Sequence, residues 1–123
     1  PGALTVPLIQ HLDQLHTIEI DRDWAERLPG TLAINKAGTQ DKLVLHTVDV
    51  LKFDFSTINL QKKSIRLVGN LPYNISTPIM FHLVKYNHLL KDMVFMFQKE
   101  VAERICATPN CHEYGRLSVM IQY

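Results

Sequence analysis

The sequence predicts an α/β fold with a mostly parallel sheet and helices on both faces. Three observations carry this expectation. Apolar runs of strand length alternate along the chain with stretches of helical periodicity. Most of these runs are apolar throughout, as in strands buried on both sides. The runs also end in acidic or small polar residues shortly before a helix, at the carboxyl edge where open α/β sheets keep their ligands.

Taken in order, Pro1-Gly2-Ala3-Leu4-Thr5 leads into a helix over residues 6–12 with Leu8, Ile9 and Leu12 on one face. Residues 15–21 form a strand ending in acids, and Asp21 opens a helix that Pro29-Gly30 ends. Residues 31–42 are polar and loop-like, and residues 43–49 form a further strand ending in Asp49. Ser64-Ile65-Arg66-Leu67-Val68 reads as a short buried strand that breaks at Gly69 and turns through Leu71-Pro72. A helix then opens with Ser76 or Thr77 as N-cap and Pro78 in its first turn, where a missing N–H costs nothing. It runs near residues 77–86 with Ile79, Met80, Leu83 and Val84 inward. Residues 93–98 are a continuous apolar strand, residues 99–105 an amphipathic helix ending before Pro109, and residues 114–123 begin another helix. Met80, Met93, Met96 and Phe97 read as core.

At 123 residues the chain is one domain at most. Its 46% hydrophobic and 20% charged residues are ordinary for a soluble globular protein. It has no run of 18 apolar residues to span a bilayer and no visible signal peptide, and it begins at Pro1 rather than Met. Cys106 and Cys111, with His112 beside them, lack two further ligands at zinc spacing and read as reduced thiols. The expectation is a cytoplasmic monomer with no metal and no membrane contact. Net charge is only +1, but residues 1–61 carry five Lys/Arg against eight Asp/Glu, and residues 62–123 carry eight against four. The basic half suits an anionic partner such as RNA, although no dense Lys/Arg patch stands out along the chain.

The residues with the most chemical potential are Asn70, Leu71, Pro72 and Tyr73. Asn70 offers an amide donor and acceptor together, Pro72 fixes the local backbone, and Tyr73 offers a ring face to a planar substrate. The same residues also make an ordinary turn with a packed tyrosine. Glu19, at a strand tip beyond a glycine, is placed to accept hydrogen bonds from ribose hydroxyls, with Asp21 as helix cap; a solvated strand end is the plainer alternative. Asp49 has either a ligand role or that of a cap or turn residue.

Asn70-Leu71-Pro72-Tyr73-Asn74-Ile75-Ser76 resembles the substrate-amine loop of the ribosomal RNA adenine dimethyltransferases, a family that includes the erythromycin-resistance methylases and the mitochondrial transcription factor B proteins. Asn/Asp-Pro-Pro-Tyr is the shorter general form in amino methyltransferases; the seven-residue form is far more specific. The segments Gln98-Lys99-Glu100-Val101-Ala102-Glu103-Arg104 and Tyr114-Gly115-Arg116-Leu117-Ser118-Val119 are also similar to this family, so the resemblance covers nearly the whole chain. It is nearest the bacterial branch that dimethylates two adjacent adenosines near the 3′ end of small-subunit rRNA.

The resemblance implies a Rossmann-like, S-adenosylmethionine-dependent methyltransferase of class I. Residues 1–123 would be a partial catalytic domain truncated at both ends, without the N-terminal segment and the helical C-terminal domain. In that family an acidic-apolar-Gly-Pro-Gly-x-x-Ala-Leu-Thr loop holds the cofactor; this chain starts partway through it and is two residues short after Gly2. The resemblance assigns Gly2, Glu19, Asp49 and Asn70 to S-adenosylmethionine, with Glu19 on the ribose and Asp49 on the adenine amino group. Asn70, Leu71, Pro72 and Tyr73 become the catalytic loop, and the implied partner is small-subunit rRNA within the pre-30S particle. Two other readings stand beside it: a large-subunit rRNA methylase of the erythromycin-resistance type, and a non-catalytic RNA-binding or assembly factor on the same fold. A pure binder would not need the intact Asn70–Tyr73 loop together with Glu19 and Asp49.

Overall fold

A computed structural model of the chain describes residues 2–35, 40–58 and 62–123. They form two compact units, Pro1–Phe53 and Asp54–Tyr123. Each unit is built around one pair of parallel strands joined through a helix, so the parallel α/β character expected from the apolar runs is borne out. The strands form two two-stranded sheets, one in each unit.

The first unit runs α1 (Thr5–Ile9), β1 (Leu15–Glu19), α2 (Arg22–Asn35) and β2 (Leu43–Thr47), with a 3₁₀ turn at Gln40–Lys42. β1 and β2 pair in parallel from Leu15 opposite Leu43 to Glu19 opposite Thr47. Ile9 and Leu28 are buried together, with Val6, Leu15, Leu43 and Leu45 packed against them. Only Ile9 of the expected helical face is fully buried. The helix stops there, Leu12 is exposed, and Lys42 Nζ takes the Leu12 carbonyl at 2.8 Å. β1 ends at Glu19 rather than Asp21, because Asp21 turns away to cap α2.

Pro29-Gly30 does not end α2, which runs on to Asn35. A proline removes one backbone donor and crowds one carbonyl. Here that loss is tolerated in a helix anchored by buried Ala25 and Leu28. Thr31 Oγ1 donates to the Arg27 carbonyl at 3.1 Å one turn back, adding a hydrogen bond beside the proline. Of the expected loop over residues 31–42, residues 31–35 are therefore helical, residues 36–39 lie outside the described residues, and residues 40–42 form the 3₁₀ turn.

The second unit runs β3 (Ile65–Asn70), α3 (Tyr73–Val84), β4 (Leu90–Met96), α4 (Lys99–Cys106) and α5 (Arg116–Gln122). A 3₁₀ turn at Phe55–Thr57 precedes them, capped by Asp54 Oδ1 accepting from the Ser56 N–H at 2.9 Å. β3 and β4 are parallel, with Val68 opposite Val94, Gly69 opposite Phe95 and Asn70 opposite Met96. Met80, Val101 and Leu117, one from each of α3, α4 and α5, form the buried cluster, with Phe81, Phe95, Phe97, Ile105 and Ile121 against it.

Three expectations are corrected here. β3 does not break at Gly69 but continues through Asn70. A Cβ at Gly69 would meet the Phe95 ring at 3.2 and 3.3 Å, so this glycine admits a neighbouring aromatic rather than a turn. α3 opens at Tyr73 with Pro72 as N-cap, not at Ser76 or Thr77, and Pro78 lies inside it. Ser76 is fully buried, and its Oγ donates to the Pro72 carbonyl at 2.8 Å, tying the first turn to the residue that starts the helix. Finally, Met80 is core but Met93, Met96 and Val84 are exposed. Successive strand residues point to opposite faces, and Met96 shares with Val68 and Val94 the face that the helical cluster does not cover. Val68, Val94 and Met96 are 46%, 63% and 62% exposed.

Candidate functional site

The first unit holds an open cavity of about 250 Å³ lined by Gly2, Thr5, Thr17, Glu19, Trp24 and Leu28. Gly2 has φ +77°, a left-handed backbone that side chains rarely adopt. A Cβ there would meet Val6 Cγ2 at 3.2 Å and Leu28 Cδ1 at 3.3 Å. Its carbonyl accepts the Val6 N–H at 2.8 Å, so the glycine turn is fastened to the start of α1. The glycine is thus packed against Val6 and Leu28, and it shares the cavity lining with Glu19.

Glu19 supplies that carboxylate. It is the last residue of β1, half-buried, and its Oε1 accepts the Asp21 N–H at 3.0 Å. Asp21 in turn accepts the Asp23 and Trp24 N–H groups at 2.9 and 3.2 Å, the cap role expected of it. The Val48 N–H donates to the Glu19 carbonyl at 3.0 Å, which brings the end of β2 beside the end of β1. Asp49 follows directly. It is half-buried, its Oδ1 accepts the Leu51 N–H at 2.9 Å, and its carbonyl accepts from Lys52 at 2.9 Å. It is a turn residue by geometry, next to the Glu19 strand end but not among the residues lining the cavity.

Nothing in the composition singles out Thr5, Thr17, Trp24 or Leu28, which complete the cavity. Thr17 was within reach of a period-2 argument, because it sits two residues before Glu19 and so on the same face of β1. Trp24 lies on the first turn of α2 and is partly covered by the Arg27 guanidinium, 5.8 Å from the ring centre.

The second unit holds the other predicted site residues, contiguous at the carboxyl end of β3. Asn70 is exposed at the last strand position, and the Leu71 N–H donates to the Met96 carbonyl at 3.3 Å, extending the ladder one residue past the strand. Pro72, at φ −58° and ψ 147°, directs the chain into α3, and its carbonyl accepts the Ile75 N–H at 3.2 Å. Tyr73, the first residue of α3, is 66% exposed, so the ring is free to meet a planar group. A side-chain amide, a strand-end backbone and an open aromatic face thus sit within four consecutive residues. Among the described residues no group of three or more His, Cys, Asp or Glu is disposed to hold a metal ion, and no helix is long and apolar enough to cross a membrane.

Comparison with known proteins bears on the whole chain. A family model described as ribosomal RNA adenine dimethylase matches residues 1–123. The ribosomal RNA small subunit methyltransferase A of Acinetobacter baylyi is 52% identical over 125 residues, an alignment covering 100% of this chain and 44% of that protein. The protein of the same name from Dechloromonas aromatica is 51% identical, over 99% of this chain and 44% of that protein. Among solved structures, a dimethyladenosine transferase from Plasmodium falciparum superimposes with a TM-score of 0.80 at 30% identity, over 98% of this chain and 41% of that one. The chain thus spans less than half the length of these relatives.

Proposed function

Because the chain belongs to the ribosomal RNA adenine dimethylase family, we propose that its protein dimethylates N6 of two adjacent adenosines near the 3′ end of small-subunit rRNA, with S-adenosylmethionine as donor. Residues 1–123 are then part of a Rossmann-like catalytic domain. The observation that carries this reading is the Asn70-Leu71-Pro72-Tyr73 loop, held at the carboxyl end of a parallel strand with Tyr73 open to solvent. In this reading the protein acts in the cytoplasm as a monomer, on the small-subunit particle during ribosome biogenesis.

The residues of the first unit suit the methyl donor. Gly2 and Glu19 line one cavity, and Glu19 at the strand end accepts hydrogen bonds from ribose hydroxyls. Asp49, beside it, is the acceptor assigned to the adenine amino group of the cofactor. When bound, S-adenosylmethionine supplies a methyl group already activated on a positively charged sulfur, so the reaction asks for alignment rather than a metal or an acid.

The second unit supplies the acceptor chemistry. The N6 amino group of adenine is a poor nucleophile because its lone pair is delocalised into the ring. The Asn70 side-chain oxygen and the Leu71 carbonyl accept its hydrogens and favour the pyramidal form, in which the lone pair is localised. Tyr73 stacks on the base once it has left its RNA stack, and Pro72 keeps the loop in register. After transfer the extra amino proton passes to solvent, and the monomethyl product turns or rebinds for the second step.

The test is methyl transfer from labelled S-adenosylmethionine by the full-length protein, offered unmethylated small subunits and, separately, naked large-subunit rRNA. Label on two adjacent adenosines of the small subunit is the expected result. Label on large-subunit RNA alone would move the protein to the resistance-methylase branch, and RNA binding without transfer would make it an assembly factor.

A further inference from the structure

We propose that the amino edge of the β3–β4 sheet is a second RNA contact, a lysine cluster that grips phosphate backbone far from the reacting base. It rests on the rRNA reading above and extends it to how the substrate is held. From Phe55 through Lys91 the sequence contains no Asp or Glu but has Lys62, Lys63, Arg66, Lys85 and Lys91. Along the chain these are scattered. In the fold the turn at residues 62–64 enters β3 and the turns at residues 85–89 enter β4, and the parallel pairing sets both at one edge. The Lys63 N–H donates to the His88 carbonyl at 3.0 Å and the Ile65 N–H to the Leu89 carbonyl at 3.1 Å, which locks the two turns together.

Lys62, Lys63, Lys85 and Lys91 are all exposed there. Two acids border the cluster and both are engaged: Asp92, which also feels Lys91, holds the Arg66 guanidinium through Nε and a second nitrogen, at 2.9 and 2.7 Å from Oδ2, and Asp54, against Tyr86, accepts from the Ser56 N–H at 2.9 Å. No ion pair among the described residues uses any of the four lysines. Asn87 and His88, also exposed, add polar groups on the turn that carries Lys85.

That composition points to phosphate. Phosphate contacts draw on Lys, Ser, Asn and backbone N–H groups, whereas Lys is depleted from the centres of protein–protein interfaces. No large apolar side chain is exposed among these turn residues to anchor a protein partner. The span matters as well. β3 covers six residues, at roughly 3.3 Å each, so the cluster lies on the order of 20 Å from Asn70. A free nucleotide does not bridge that distance, but a folded RNA does, and the cluster therefore favours structured rRNA over a short oligonucleotide.

The experiment measures RNA affinity of the full-length protein against salt, for wild type and for the variant Lys62→Gln/Lys63→Asn/Lys85→Gln/Lys91→Gln. Asn is chosen at position 63 because the backbone there is left-handed, φ 52°. Each phosphate-bound lysine contributes about 0.7–0.9 to the slope of log affinity against log salt. The variant slope should be shallower by about 3, so its deficit against wild type shrinks roughly sixtyfold between about 50 and 200 mM salt. Arginine at all four positions should restore the wild-type slope. An unchanged slope in a folded variant would overturn the proposal, as would a loss confined to the assembled particle with naked RNA unaffected, which would assign the cluster to a ribosomal protein. Should the quadruple variant not fold, Lys85→Gln/Lys91→Gln alone should lower the slope by roughly 1.5. Wild type that binds RNA through these lysines but transfers no methyl group would sink the enzymatic reading and leave this contact standing. Wild type that methylates, with a variant of unchanged slope, would do the reverse.

Discussion

Asn70 and Glu19 sit in opposite kinds of environment, and their proposed roles are tested differently. Asn70 is exposed at a strand end, so Asn70→Ala should leave the unfolding midpoint within about 0.5 kcal/mol while lowering turnover by about 10²-fold or more, as removal of one positioned partner of a reacting group does. Wild-type turnover in the full-length variant would remove the residue from the mechanism. Glu19 is half-buried with one oxygen on the Asp21 N–H, so its carboxylate is already oriented. Glu19→Ala should weaken S-adenosylmethionine binding by about 1.5–3 kcal/mol by calorimetry; an unchanged affinity would leave Glu19 as a structural strand end. A third residue acts through protonation. His16 Nδ1 and His46 Nε2 lie 2.9 Å apart on neighbouring strands, a hydrogen bond that needs at least one neutral ring. Burial, and then the nearby His46, hold His16 below its ordinary value of 6.5. The unfolded chain therefore takes up this proton at a higher pH than the folded one. The stabilisation is complete above about pH 6.5 and is lost as pH falls through the lower folded value. Urea melts of the 123-residue chain should show a lower midpoint near pH 5.5 than near pH 7.5, and His16→Gln should shrink that difference; an equal difference in both would refute the assignment.

Glycine and proline were the least reliable guides to the elements. Pro29-Gly30 has the composition of a helix stop and Pro78 that of a helix start, yet both prolines lie inside helices. A single missing donor is a local loss, and buried side chains on either side can outweigh it: Ala25 and Leu28 in α2, Ser76, Ile79 and Met80 in α3. That balance depends on contacts distant in sequence, which is why it was not legible there. The strands were legible, since apolar runs bounded by polar turns have few other uses, and so was Asp21, whose cap depends only on its neighbours. Gly69 shows the limit most clearly. Its role is set by Phe95 on the next strand, 26 residues on. Phe95 packs against Phe97, with ring centres 5.7 Å apart, and against the buried cluster of Met80, Val101 and Leu117, so it has little room to yield. Gly69→Ala should accordingly destabilise the chain by about 1 kcal/mol or more, read as a lower denaturant midpoint. A midpoint at or above wild type would show that the ring gives way.

At the scale of the whole chain, the Asn70–Tyr73 loop and the lysine cluster occupy the two ends of one strand pair, and this polarity follows from parallel pairing. Both strands point the same way, so one edge gathers the segments that enter them and the other the segments that leave. The sequence announces the leaving edge through its Asn-Leu-Pro-Tyr motif; the entering edge has no motif, only lysines that the turns bring together. The face between the edges sets the chain's behaviour in solution. Val68, Val94 and Met96 form an exposed apolar strip beside Asn70, flanked at the entering end by the Arg66–Asp92 pair. Contiguous apolar surface of this kind promotes association, so the 123-residue chain should bind an apolar dye and self-associate with rising concentration. Val94→Thr/Met96→Thr keeps strand-compatible shapes while removing most of that surface. It should reduce both effects in dye titration and sedimentation, with stability changed by no more than about 0.5 kcal/mol, as at other exposed positions. A loss of 2 kcal/mol or more would mean that these side chains are packed in solution. Undiminished dye binding would place the sticky surface elsewhere, with the groove of about 230 Å³ bordered by Val84, Met93 and Met120 as the next to alter.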